Sequence, residues 1–294
     1  MTLPKTPLIG LKASQFRHPL DQEATQALQQ LLGLDFAVRN LLGPVAEQVF
    51  YLNNIAASIR VSEQQLPELH QLLLEASQIL DIEPPQLYIQ QNPIPNAYTL
   101  AMRGQQPFMV IHTALVELLT LEEIQAVIAH ELGHLKCEHG VYLTLANLLV
   151  LASNLLPSWG TMLAETLQMQ LLTWLRCAEL SCDRAALLAS QDPNVVMSVL
   201  MKLTGGSPSL ASRLNLDAFI AQARDYDQMS QTPLGEAIKL MQTQQLTHPL
   251  PVLRAREIDR WAHSPDYHGL LARDLLEREA GGYNTKATGK WRNW

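Results

Sequence analysis

The 294-residue chain carries 21 Lys and Arg against 28 Asp and Glu, a formal net charge of −7. An acidic chain without a large basic run lacks the electrostatic footprint of a nucleic-acid-binding protein. Its apolar fraction of 47% is ample for a globular core, and its length fits one large domain or two small ones.

The start, Met1-Thr2-Leu3-Pro4-Lys5, does not read as a signal peptide, since no long apolar run follows a charged start. The three cysteines, Cys137, Cys177 and Cys182, cannot all pair within one chain and form no disulfide framework. That suits a reducing compartment and a cytoplasmic location. Residues 1–20 read as irregular, with Pro4, Pro7 and Pro19. Apolar residues at helical spacing predict helices from Asp21 to about Ile59, divided at Gly33 and Gly43-Pro44. These read as core and packing helices. Pro67 to Leu80 predicts another helix.

The texture changes at Glu83-Pro84-Pro85. Gln86–Ile89, Asn96–Met102 and Pro107–Ile111 are strand candidates, the last two joined as a hairpin through Arg103-Gly104-Gln105-Gln106. The expectation is a small antiparallel sheet directly before the next helix. Thr120-Leu121-Glu122-Glu123 reads as a capping box, after which Ile124, Val127, Ile128, Leu132 and Leu135 recur at helical spacing. An amphipathic helix over roughly 121–138 is expected.

That helix contains His130-Glu131-Leu132-Gly133-His134, a His-Glu-x-x-His motif. Residues i and i+4 share one helix face, one turn apart, so the two imidazoles can bind one Zn²⁺. Glu131 follows the first histidine and can reach a water on the metal's open side as a general base. A catalytic zinc usually takes three protein ligands, and the position six residues beyond His134 is Gly140 rather than histidine. The third ligand therefore comes from elsewhere. Glu179 and Asp183 are four residues apart on a second helical stretch with an apolar side at Leu175, Leu180, Ala185, Leu187 and Leu188. Glu179 could bind metal while Asp183 accepts a proton from a ligand histidine's free nitrogen. Spacing alone favours the other reading, a solvated charged face with Arg176 and Arg184 as ion-pair partners. Cys137, Cys177 and Cys182 read as packing residues, and His139, five residues after His134, as pointing off the metal face.

Between the motif and Glu179, no charged residue occurs from Gly140 to Ala164. Its densest part, Leu143–Leu156, would span about 21 Å as a helix, short of the roughly 30 Å hydrocarbon core. It reads as a buried helix or, alternatively, as a peripheral membrane contact. The basic and aromatic tail (Lys286, Lys290, Trp291, Arg292, Trp294) reads as a frayed terminus.

His130-Glu131-x-x-His134 followed by Glu179-x-x-x-Asp183 resembles the zinc metallopeptidase family of the CaaX prenyl protease and the HtpX heat-shock protease, metallopeptidase family 48. Asn96-Ala97-Tyr98 matches that family's Asn-Ala-aromatic start to an edge strand, and His248-Pro249 with Arg254 matches its late His-Pro and Arg pair. The resemblance runs over about 85–256 and is closer to compact bacterial and plastid members than to integral-membrane ones. It implies an α+β, predominantly helical, gluzincin-type fold with three parts. These are an N-terminal helical region 1–83 packed on the core, a catalytic domain 84–265, and a C-terminal helix and tail 266–294. It implies a zinc-dependent endopeptidase with one Zn²⁺ held by His130, His134 and Glu179, and Glu131 as base. Asp183 and Arg254 support the site from behind, His248 donates to the oxyanion, and Asn96 binds substrate. The implied partner is a protein or peptide substrate, added as a strand along Asn96–Met102 or Pro107–Ile111. The alternatives are a zinc-stabilised chaperone-like protein without proteolysis and a peripheral membrane-binding module.

Overall fold

A computed structural model describes residues 5–29, 51–52, 54–100, 106–140, 158–243, 246 and 248–279. The expected helices within 30–50, the hairpin turn, the Leu143–Leu156 run and the basic tail lie outside the described residues.

In chain order the elements are α1 (Ala13–Phe16), α2 (Pro19–Gln29), β1 (Ile59–Arg60), α3 (Pro67–Ile79), β2 (Gln86–Gln90), β3 (Ala97–Leu100) and β4 (Phe108–His112). Then come α4 (Thr113–Leu118), α5 (Leu121–Lys136), α6 (Ser158–Ser190), α7 (Pro193–Gly205), α8 (Leu216–Met229), α9 (Pro233–Thr243), α10 (Pro251–Ala262) and α11 (Pro265–Glu279). Among the described residues the chain is predominantly helical with one small sheet, as expected.

The sheet is not purely antiparallel. Its order is β1-β2-β4-β3. β3 pairs antiparallel with β4, Ala97 opposite Ile111, but β2 pairs parallel with β4, Gln86 opposite Phe108. The reason lies in burial. Every residue of β4 is buried. Phe108-Met109-Val110-Ile111 is apolar on both faces and takes the sheet's interior, with a neighbour on each side. β3 is half-exposed and takes the edge. β2 is thereby displaced to the far side of β4. The interior position of β4 also removes Pro107–Ile111 as a free edge. β1, at the end of a stretch expected to be helical, closes the other side by pairing Ile59 with Ile89.

Among the described residues the main apolar core runs from Leu8 and Phe16 through Leu73, Leu87 and Ile111 to Ile128, Leu132, Leu188 and Trp261, with a smaller cluster of Tyr88, Phe108 and Val110. At the centre of the main core lies α5, where 12 residues are buried. The predicted capping box is present: Thr120 Oγ1 accepts from Glu123 N, and Thr120 N donates to Glu123 Oε2 at 2.8 Å. The same carboxylate takes Lys202 Nζ at 2.6 Å and Ser198 Oγ at 2.7 Å, tying α7 to the start of α5.

α6 crosses α5 closely at Gly133. A Cβ on Gly133 would stand 3.0 Å from both Ala185 Cβ and Cys182 Cα. Packed carbons rarely come that close, so glycine lets the two helices approach this far without displacing a neighbour. Gly133→Ala is expected to destabilise the protein by about 1–3 kcal/mol through overpacking. Gly205→Ala, where an added Cβ meets nothing within 4 Å, is expected to be near neutral. Urea denaturation of both variants measures the difference, and equal midpoints would contradict the close crossing.

Candidate metal centre and active site

The helix crossing sets Glu179 and Asp183 of α6 against the two motif histidines of α5. Glu179 Oε2 lies 3.3 Å from His130 Nε2, and Glu179 Oε1 lies 3.3 Å from His134 Nε2. The imidazole rings stand 5.4 Å apart, centroid to centroid. Glu179 is buried, and its Oε2 has no hydrogen-bond partner. A tetrahedral metal with bonds of about 2.0–2.1 Å holds its ligand atoms roughly 3.3 Å apart. The donor set, two imidazole nitrogens and a carboxylate, and the orphaned oxygen therefore both fit Zn²⁺.

Each donor is braced from behind. His130 Nδ1 lies 3.1 Å from Asp183 Oδ1. Arg254, on α10, grips Asp183 with a fork: Nε to Oδ2 at 2.8 Å and Nη2 to Oδ1 at 2.6 Å. Burial would raise the Asp183 carboxyl, but the Arg254 charge and hydrogen bonds hold it below the usual carboxylate range. Burial likewise disfavours charge on His130, but Glu179 and Asp183 outweigh it and lift the imidazole to about 10. Glu179 is held well below its ordinary value against burial, chiefly by His248 and His130. This resolves the alternative left open by spacing. Asp183 and Glu179 do not form a solvated face.

His248 reaches the same place from the segment before α10. Its Nε2 is 3.5 Å from Glu179 Oε2, and its side chain is 56% exposed, facing the cleft mouth. Asn96 lines the cleft beside Ala97 and the start of β3, and its carbonyl accepts from His112 N at 2.9 Å. The open cleft, about 600 Å³, thus gathers Asn96, His130, Glu131, Glu179, His248 and Arg254. Its lining also includes apolar side chains: Val127 from α5, and Val196, Val199 and Leu200 from α7.

Sequence reasoning missed three contacts. Thr99, on edge strand β3, donates Oγ1–H to Glu131 Oε2 at 2.8 Å. No sequence signal links a strand threonine to a carboxylate 32 residues on. His139 lies away from the Glu179 side of His134, as expected, but it braces that ring from behind: its Nδ1 lies 3.1 Å from His134 Nδ1. α5 ends in a Schellman turn, with Glu138 N–H bonded to Leu135 O at 3.1 Å and His139 N–H to His134 O at 3.0 Å. Glu138 takes the left-handed φ of 59° that this turn needs. Without a glycine there, the turn carries no signature in the sequence. Asp21, from α2, completes the set by lying 3.1 Å from His139 Nε2.

The cysteines pack around the site, Cys182 Sγ lying 3.8 Å from His139 Nδ1. All three are free, and burial pushes the Cys137 thiol up to about 12 and Cys182 well above its usual value. Ligand-type atoms of His130, His134 and Cys182 cluster within 4.8 Å, as do those of Asp21, Cys137 and His139. The second group is a closed hydrogen-bond network, because Asp21 already receives Arg17, Thr25, His139 and Ser181.

Two imidazoles, a buried carboxylate with an unbonded oxygen and a second carboxylate at an open cleft make up the equipment of a mononuclear metallohydrolase. The comparisons agree. The sequence model of peptidase family M48 matches residues 63–262. The plastoglobule-localized metallopeptidase 48 of Arabidopsis thaliana chloroplasts is 59% identical over 263 residues, covering 90% of this chain and 76% of that protein. A protease HtpX homolog of Moorella thermoacetica is 26% identical over 179 residues, covering 52% of this chain and 60% of its own length. Protease HtpX homolog 2 of Methanosarcina mazei is 27% identical over 192 residues, covering 55% and 64%. The chain belongs to peptidase family M48 and is a metal-dependent peptidase, a hydrolase acting on peptide bonds.

Cutting the Arg254 fork is expected to loosen His130. Arg254→Met should leave Asp183 buried without its counter-charge and weaken metal binding by about 10–100-fold. Competition with a chromogenic chelator reads this, and wild-type affinity would reduce Arg254 to a packing residue.

Proposed function

We propose that this protein is a zinc endopeptidase that holds one Zn²⁺ per chain through His130, His134 and Glu179. The orphaned, buried Oε2 of Glu179, set 3.3 Å from His130 Nε2, is the observation that carries the reading. When bound there, Zn²⁺ supplies Lewis acidity toward water and the scissile carbonyl. Glu131 takes a proton from the attacking water and passes it to the leaving amine. Thr99 holds one Glu131 oxygen, leaving the other to face the cleft. Asp183 fixes the ring of His130, and Arg254 fixes Asp183. His248, at the mouth, donates to the carbonyl oxygen as negative charge develops on it. Asn96 and the β3 edge bind substrate main chain, β3 being the strand that keeps an open side next to Glu131. The apolar lining from α7 suits a substrate with an apolar side chain beside the scissile bond.

Free cysteines suit the cytoplasmic location expected from composition. Among the described residues no helix is long and apolar enough to cross a membrane. Peripheral lipid contact through Leu143–Leu156 rests on sequence alone. Nothing in the cleft favours the non-proteolytic alternative, in which Glu131 would have no use.

Metal analysis and a peptide-library digest test the assignment together. Wild type should carry one zinc per chain and His134→Ala should lose most of it. Glu131→Gln should keep zinc and lose about 10²–10⁴ in cleavage rate; undiminished cleavage removes Glu131 as the base. His248→Ala should keep zinc, hold KM within a few-fold and lose about 10²–10³ in kcat, because the oxyanion exists only near the transition state.

A further inference from the structure

His130 and His134 are braced differently. His130 meets a carboxylate directly, through Asp183. His134 meets a second imidazole, and only beyond it a carboxylate: His134 Nδ1 to His139 Nδ1 is 3.1 Å, and His139 Nε2 to Asp21 Oδ2 is 3.1 Å. His139 is 1% exposed and Asp21 not at all. Asp21 is itself pinned. Ser181 donates to its Oδ2 at 2.6 Å, Thr25 to its Oδ1 at 3.1 Å, and Arg17 Nε lies 3.2 Å from Oδ2. Trp174 packs edge-on against His139, ring centroids 5.5 Å apart, and bonds Thr25 at 2.9 Å.

The protons in this chain can be ordered in one sense. An ionised carboxylate only accepts, so Asp21 requires the hydrogen of His139 on Nε2. A neutral His139 then presents a lone pair at Nδ1. That lone pair faces His134 Nδ1 at 3.1 Å and, farther off, the weakly donating Cys182 thiol at 3.8 Å; the nearer, stronger donor places the hydrogen of His134 on Nδ1, which leaves its Nε2 bare toward Glu179. The tautomer of a ligand histidine is set by what its other nitrogen bonds.

We propose that His139 and Asp21 are positioning residues that hold His134 in the tautomer and orientation needed to bind the metal, making helix α2 part of the metal centre. The proposal rests on His134 being a metal ligand, as argued above. It gives the N-terminal helical segment a role beyond packing, since Arg17, Asp21 and Thr25 act on the site without touching the cleft.

The test measures zinc affinity by chelator competition and the visible spectrum of the Co²⁺-substituted protein, alongside the thermal midpoint of the metal-free form. His139→Phe keeps a buried ring but no acceptor. It should keep a metal-free midpoint within a few degrees, weaken zinc binding about 10–100-fold and shift the Co²⁺ bands. His139→Asn, whose amide oxygen can accept from His134 Nδ1, should recover most of that loss. Asp21→Asn covers the case in which His139→Phe fails to fold, and should weaken zinc in the same direction by a smaller factor. Wild-type affinity and Co²⁺ spectra in both His139→Phe and Asp21→Asn would overturn the proposal. His134→Ala separates the two claims: if it loses zinc while those variants do not, the metal reading stands and the positioning role falls. A wild type that binds no zinc overturns both.

Discussion

The close crossing of α5 and α6 at Gly133 is the constraint on which the site depends. A glycine inside a helix costs about 0.5–1 kcal/mol relative to alanine. Here it removes the Cβ that would otherwise stand 3.0 Å from Ala185 and Cys182. With the helices this near, Glu179 on one reaches both histidines on the other, and Asp183, one turn later, reaches the back of the first. A wider crossing would still bury apolar surface but would separate the donors. The packing of Gly133 and the geometry of the metal site are one event.

That arrangement concentrates charge in a place that disfavours it. Glu179, Asp183 and Asp21 are each 2% exposed or less. Buried charges are tolerated only when paired and hydrogen-bonded. Asp183 is satisfied by Arg254 and His130, and Asp21 by Arg17, Thr25, His139 and Ser181. Glu179 keeps one oxygen without a hydrogen bond. That oxygen is faced instead by three nitrogens at 3.3–3.5 Å, His130 Nε2, Arg254 Nη2 and His248 Nε2, so its charge is balanced without a hydrogen bond. A cation bound among these groups would be held by the folded chain, which couples metal binding to stability.

The sheet contributes through its edge rather than its interior. β4 is buried on both faces and anchors the assembly, which frees β3 to lie beside α5 with Thr99 on Glu131. Glu131 is thus held by the edge strand of the sheet. In the proposed reading the same strand aligns substrate and orients the base, so a shift of β3 would disturb both.

Local signals were legible in the chain itself. The capping box of Thr120 and Glu123, the motif helix, the three strands from Gln86 onward and the Glu179/Asp183 spacing follow from hydrogen-bonding and periodicity rules within a few residues. The histidine pair follows from the pitch of a helix. What tertiary structure decided is everything set by long-range competition for burial. β4, being apolar on both faces, displaced β2 and made the sheet mixed. Whether Glu179 and Asp183 face solvent or the two motif histidines depended on Gly133, 46 residues before Glu179 (179 − 133), admitting α6. The place of His139 depended on a left-handed Glu138, a conformation no residue type announces there. Asp21, from the far end of the chain, enters only because α2 packs on α6. Sequence periodicity specifies which face a side chain occupies, but not which distant face it will meet.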